Sequence, residues 1–427
     1  MDNLLLMRGV QRGDLRGFLV RLAPWSALLA LGVYSACLIL SRGLNQTNMD
    51  NRFVFGLWIF VDLGVIALGA GAFFTGVLLY LLRRHELRAV INSAVVLGFI
   101  CYSSAIALLA LDVGQPLRAW FTFWHPNAHS MLTEVTFCIS CYLLVLTVEY
   151  LPVVLRNRRL RQVPLFLVLE FQLHKVMPIL AAVGAFLSFF HQGSLGGLFG
   201  VLRGRPFAFR EGLALWPSTF FLFILSAAAV GPSFLLVITW VASKVSGKRL
   251  MPPEARRLLA RISGYMLLVY VSLKGMDTLI WINWTAPAAG FHPFWFYAYQ
   301  PFGTWVLFSE VVLFGLLPGL VLSSRRPRDP WLVPAAAAAC AGVLLNRFVM
   351  TIQTLSLPTL AFDGFLTYVP SWQEVAAFAG VLAYGVLVYS VSFRYLPLYA
   401  RERQLTLASE EERHVSAKEE RHVSVGV

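Results

Sequence analysis

Ten mostly apolar stretches recur along the chain, each reaching the roughly 18 to 20 residues that a helix needs to cross a bilayer. They are Leu22–Leu40, Leu57–Leu82, Ala89–Leu111, Met131–Leu155, Leu165–Phe190, Ala214–Ala242, Leu258–Ile282, Phe302–Ser324, Leu332–Ile352 and Val375–Leu396. In hydrocarbon every backbone N–H and C=O must be satisfied within its own segment, so runs of this length fold as helices. The fold class that follows is all-α: a polytopic integral membrane protein with about ten transmembrane helices in residues 1–400. Residues 401–427 form a polar tail, read as disordered, with a short Glu-Glu-Arg-His-Val-Ser duplication at 411–416 and 419–424. Only 13% of residues are charged, about half the share of a soluble domain, which excludes a soluble enzyme.

Lys and Arg fall on alternate sides at every loop. One side receives Arg8, Arg12, Arg16 and Arg21, then Arg83, Arg84 and Arg88, then Arg156, Arg158, Arg159 and Arg161. Lys244, Lys248, Arg249, Arg256, Arg257 and Arg261 return to that side, followed by Arg325, Arg326 and Arg328. The other side holds Arg42, Arg52, Arg118, Arg203, Arg205 and Arg210, and none in its last two loops. The positive-inside rule therefore predicts cytoplasmic N- and C-termini. The net charge of +13 lies in these short clusters, not in one stripe, so no nucleic-acid partner is expected. The first run is long enough to span and lacks a small-residue cleavage site, so it reads as a retained anchor.

Aromatic residues gather in two loops on the opposite side, at Trp120, Phe121, Phe123 and Trp124 and between Phe291 and Tyr299, as interfacial belts. The second run carries Gly64, Ala67, Gly69, Gly71, Ala72 and Gly76, whose small side chains predict a central, closely packed helix. All five cysteines lie in apolar runs and read as packing residues, Cys138 and Cys141 included, and no metal site is expected.

Ionisable residues inside a span are costly and mark function by default. Asp62, Glu134, Lys274, Asp277, Glu310 and Arg347 all fall in the non-cytoplasmic half of their spans, with Asp112 and His191 at span ends on the same side. Lys274 and Asp277, one turn apart, can neutralise each other, Arg347 can snorkel outward, and Asp112 can sit in an exposed turn. Glu134 lies one turn inside its helix without a basic neighbour, which favours a proton-handling role. His191-Gln192-Gly193-Ser194 closes the fifth span with three hydrogen-bonding side chains and a glycine, where a histidine can meet a quinone carbonyl and pass it a proton. A thinner trail on the cytoplasmic side, Glu149, Glu170 and His174, reads either as a proton pathway or as interfacial charge. Only His174 and His191 lie in or at a span, both on the fifth, which disfavours bis-histidine haem.

Several segments resemble the NrfD-type family, which includes polysulfide reductase membrane subunits. They are Gly56-Leu57-Trp58-Ile59-Phe60-Val61-Asp62 and Leu111-Asp112-Val113-Gly114-Gln115-Pro116-Leu117-Arg118. Met131 to Pro152, Leu187 to Gly196, Leu345-Asn346-Arg347 and Tyr368 to Glu374 resemble the HybB branch, the membrane subunit of Hyb-type nickel–iron hydrogenases. The resemblance implies two four-helix bundles with flanking helices, no haem, and a site for quinone (menaquinone or ubiquinone) near the periplasmic face of a bacterial cytoplasmic membrane. It also implies a periplasmic ferredoxin-like iron–sulfur subunit and catalytic partners, the hydrogenase small and large subunits foremost. Glu134 and His191 are its catalytic candidates, with Asp62, Asp112, Gln192 and Ser194 as further quinone-binding residues. Glu149, Glu170, His174, Lys274 and Asp277 make up the expected proton pathway. Gly193 departs from the serine frequent in relatives. A proton-coupled transporter and a passive membrane anchor are the competing readings; transporter sites lie at the bilayer midplane, whereas these polar groups gather at one end.

Overall fold

The computed structural model describes residues 6, 13–127, 129–200, 218–288, 290, 292, 298, 303–324, 329–356 and 364–399. Ten helices long and apolar enough to span follow one another: α1 Leu15–Arg42, α2 Leu57–Leu81, α3 Ile91–Asp112, α4 Met131–Leu155 and α5 Pro164–Phe199, then α6 Thr219–Ser246, α7 Pro253–Ala288, α8 Gly303–Ser323, α9 Pro330–Ser356 and α10 Trp372–Tyr395. No strand occurs among the described residues. The tail, the arginines expected at 203–210 and 325–328, and most of the second aromatic loop lie outside them.

Several helices overrun their apolar runs. The first helix starts seven residues earlier than its apolar run, because Arg16 and Arg21 can extend their heads to water while the backbone stays helical. The fifth runs on past Phe190 to Phe199, so His191, Gln192 and Ser194 sit inside a helix and not at its exit. Nothing in Gly193-Ser194-Leu195-Gly196 stops it: no proline follows, and the two glycines make room for a neighbour instead.

The helices α2, α3, α4 and α5 pack in sequence around one core, and α6, α7, α8 and α9 around a second, each with its last helix closing onto its first. Consecutive spans alternate in direction, so both bundles begin at the same membrane face. They join along α2, which packs on α6 and α9 and has most of its residues buried. The tightest point of that joint is Gly71 against Gly231: a Cβ at Gly71 would lie 2.5 Å from the Gly231 carbonyl oxygen. Only hydrogen fits there, so the small-residue face of α2 does set the bundle centre. Outside the bundles, α1 pairs with α10, which also rests on α3. The described arginines of the even-numbered loops share one end of the protein, the basic end; the buried ionisable groups gather toward the other.

Candidate functional site

Deep in the first bundle, side chains from α2, α3, α4 and α5 bring polar groups into contact without saturating them. Tyr102 on α3 is fully buried; its hydroxyl shares a 2.8 Å hydrogen bond with Ser188 on α5. Its ring meets Tyr142 edge-on at 4.4 Å and stands 5.9 Å from the His191 imidazole. His191 has no exposed surface and faces the Val135 carbonyl of α4, yet neither ring nitrogen closes a hydrogen bond among the described residues. Gln192 is equally buried and faces the Tyr102 hydroxyl, though neither amide atom closes an aligned hydrogen bond among the described residues. Buried polar groups are paired in about nine cases out of ten or more, so unpartnered atoms in adjacent residues demand an explanation.

Asp62, on the second turn of α2, is only 3% exposed, and one carboxylate oxygen has no partner. It lies near enough to Tyr102 and Asp112 to feel their charge, and Asp112 in turn feels Glu374. Asp112 is the partly buried last residue of α3, not part of a free turn. Glu134 is half-buried in the first turn of α4, next to Val135, with no hydrogen bond or ion pair among the described residues. No direct bond joins it to His191. The Ser194 hydroxyl donates back to its own helix, to the Phe190 carbonyl at 2.8 Å. The expected opening at the glycines is likewise filled, because Phe220 of α6 lies over Gly193 and the Thr219 backbone over Gly196.

The non-basic mouth of this bundle is closed by Glu374, which lies one position outside the tenth apolar run. Ser371 and Glu374 form a capping box at the start of α10, the Ser371 hydroxyl accepting from the Glu374 amide at 3.3 Å. The Glu374 carboxylate also accepts from the Asn48 amide at 3.0 Å and from the Tyr368 hydroxyl, which in turn accepts from the Leu57 amide at 3.0 Å. Burial holds the Tyr368 hydroxyl protonated well above its ordinary range, so it remains a donor.

The second bundle holds a different arrangement. Lys274 on α7 makes its ion pair across to Glu310 on α8 and feels only the charge of Asp277 one turn along its own helix. Glu310 also accepts from the Asn346 amide at 2.9 Å, whose oxygen accepts from Arg347 Nη1 at 2.8 Å. Arg347 Nη2 donates to Ser226 at 2.7 Å, and the guanidinium lies 3.5 Å over the Phe223 ring. Arg347 therefore does not snorkel: it has no exposed surface at all. Glu310 sits in a π-helical turn, Ser309–Leu316, which widens α8 where the network forms.

Toward the basic end, Glu149, His174, Tyr80, Asn92 and Arg156 line a narrow crevice of about 30 Å³. Glu170 is not among its lining residues but is tied to it through an ion pair with Arg156 at 2.6 Å, and makes a longer one with Arg161 at 3.9 Å. Reasoning from ionisable residues alone missed Tyr102, Tyr142 and Ser188. A hydroxyl count within the spans would have found Cys101-Tyr102-Ser103-Ser104 as a polar break in an apolar run. Among the described residues the only span histidines, His174 and His191, share α5, so the donor set does not fit a haem held by histidines on two helices.

Residues 45–358 match the family model described as polysulphide reductase, NrfD. The chain is 44% identical over 413 residues, 95% of its length and 97% of the relative's, to the menaquinone reductase integral membrane subunit of Nitratidesulfovibrio vulgaris. It is 23% identical to a selenate reductase subunit of Mesobacillus selenatarsenatis, over 89% of this chain and 94% of that one. To the probable Ni/Fe-hydrogenase 2 b-type cytochrome subunit of Escherichia coli it is 24% identical, over 86% of this chain and 88% of that one. A family model spanning most of the ten-helix region, and a relative aligned nearly end to end, place the resemblance on firm ground: the chain belongs to the NrfD polysulphide reductase family.

Proposed function

We propose that this chain is the quinone-reactive membrane subunit of a respiratory oxidoreductase complex, passing electrons between an iron–sulfur partner subunit and the menaquinone pool of a bacterial cytoplasmic membrane. The observation that carries this reading is His191, fully buried beside Tyr102 and Gln192, facing the Val135 carbonyl but closing no aligned hydrogen bond at either ring nitrogen among the described residues. Reducing a quinone to its quinol takes two electrons and two protons, so its site needs a donor for each carbonyl oxygen and groups able to hold a proton. Imidazole does both, and the Asp62 and Glu134 carboxylates supply further proton carriers at the same end.

Menaquinone is preferred to ubiquinone, and a menaquinone-reductase type of complex to a hydrogenase, because of the 44% identity to a subunit of the former against 24% for the latter. A nickel–iron hydrogenase with small and large subunits is the second reading for the parent complex. In either case the iron–sulfur subunit docks at the non-basic face, close to His191, where electrons have the shortest path. The basic end then faces the cytoplasm, with both termini, and Glu149 and His174 in their crevice form the proton pathway.

The test is electron transfer to a soluble menaquinone analogue in the purified complex carrying Glu134→Gln. Loss of quinone reduction, with the complex intact and no b-type haem absorbance from this chain, supports the proposal. Full turnover would leave the chain as a passive anchor, and a strong b-type spectrum in this subunit would overturn the haem-free site.

A further inference from the structure

At the basic end, far from His191, α2 ends in a π-helical turn, Val77–Leu81, and leads into the short helical segment His85–Ala89. The termination is unusual. The Leu82 amide donates to the Val77 carbonyl at 3.0 Å and the Arg84 amide to the Leu78 carbonyl at 2.8 Å, closing the helix end around Arg83. Arg83 has φ +54°, the only positive φ at a non-glycine position among the described residues. Helix ends of this kind ordinarily use glycine, because a Cβ crowds the left-handed conformation. An arginine there accepts that steric cost and gains a side chain aimed out of the helix end.

That side chain helps form an open pocket of about 360 Å³, lined by Leu79, Tyr80, Arg83, His85 and Arg88. Among the described residues no carboxylate lines it: Glu86, the nearest in sequence, turns to Arg84 at 3.2 Å. The Arg83 side chain has no hydrogen-bonded or ion-paired acceptor among the described residues. The lining is thus two-faced, with two guanidiniums and an imidazole above an apolar floor. Leu81 and Leu82, 47% and 61% exposed, continue that floor onto the bilayer-facing surface. α7 of the second bundle also packs on the His85–Ala89 segment, two of whose residues line the pocket.

We infer that this pocket binds the phosphate-bearing headgroup of an anionic phospholipid, its acyl chains lying along Leu79, Leu81 and Leu82. Clustered arginines at the membrane interface match a phosphate in charge and in hydrogen-bond geometry. The apolar floor is what separates a lipid from a free phosphate, which makes no use of it. Bound there, a lipid ties the end of α2 to the segment on which α7 packs.

The test is native mass spectrometry of the delipidated full-length protein in neutral detergent, titrated with phosphatidylglycerol, phosphatidylcholine or inorganic phosphate. One phosphatidylglycerol should bind with preference over phosphatidylcholine. Arg83→Gly should weaken it about fivefold and Arg83→Gly with Arg88→Gln about 25-fold, the scale set by the attraction of one arginine to an anionic surface. Glycine suits the left-handed position, so Arg83→Gly keeps the fold and decides the matter even if the double variant does not assemble. Arg118→Gln, an exposed arginine on the opposite face, should bind like wild type. Unchanged affinity in Arg83→Gly, equal loss in Arg118→Gln, or equally tight phosphatidylcholine would each overturn the site. Displacement by millimolar inorganic phosphate would overturn the lipid as its ligand.

Discussion

Glu310 and Arg347 hold in the second bundle the places that Glu134 and His191 hold in the first: an acid near the start of the third helix and a basic group late in the fourth. The surroundings differ. Glu310 is bound by Lys274 and Asn346, and Arg347 by Asn346, Ser226 and the Phe223 ring. The Glu134 carboxylate has no hydrogen bond or ion pair among the described residues, and His191 faces the Val135 carbonyl without closing an aligned hydrogen bond at either ring nitrogen among them. One plan thus yields two outcomes. A buried charge whose neighbours bind it is satisfied within its own bundle, whereas a buried polar group left open is available to a ligand. Position alone does not separate them; partners do.

The comparison breaks most readily at Lys274. Replacing it by Met leaves the Glu310 carboxylate buried without its cation, at a cost of about 3–5 kcal/mol, so the protein should melt far earlier or fail to assemble. Lys274→Met with Glu310→Met should recover most of that stability, because removing both charges removes the desolvation penalty as well. Melting curves of the two variants in detergent decide whether the second network is structural. If Lys274→Met instead melts like wild type and loses quinone turnover, the bundles have been assigned the wrong way round.

The joint between the bundles comes next. Gly231→Val would push a side chain into the Ala70–Gly71 backbone, where a Cβ already lies 2.7 Å from the Ala70 carbonyl carbon. Overpacking of this kind costs about 1–3 kcal/mol. Both bundles should loosen together, seen as faster hydrogen exchange on α2 and α6 alike. Loosening of the second bundle alone would mean that the first stands independently of it.

A smaller effect is expected at Tyr102. Tyr102→Phe keeps the ring against Tyr142 but removes the bond to Ser188, a net loss of about 1 kcal/mol in stability. If the hydroxyl also orients Gln192 and His191, turnover falls up to about tenfold while the melting temperature moves by only a few degrees. A change in melting without any change in turnover would make Tyr102 part of the core alone.

Hydropathy and charge made the ten helices legible, since a bilayer leaves a spanning segment few choices. The end of the protein toward which the buried ionisable groups gather was legible too, from the depth of Asp62, Glu134 and His191. Partner choice was not. Lys274 and Asp277 are one turn apart in sequence, but the ion pair to Glu310 depends on α8 lying against α7, a relation between helices that no local spacing encodes. The run from His191 to Gly196 misled for a related reason: its glycines look like an exit, whereas they admit Phe220 and the Thr219 backbone of α6. Glu374 was hidden because its carboxylate is occupied by a capping box and by the Tyr368 hydroxyl of a preceding loop.

The central contrast rests on His191, and one paired measurement addresses it: quinone-linked turnover and thermal melting of the assembled complex carrying His191→Ala. Removing a general acid–base group lowers turnover by about 10²–10⁴-fold, and the account predicts a loss of that size with melting within a few degrees of wild type. Unchanged turnover, or a collapse in stability like that expected at Lys274, would contradict it.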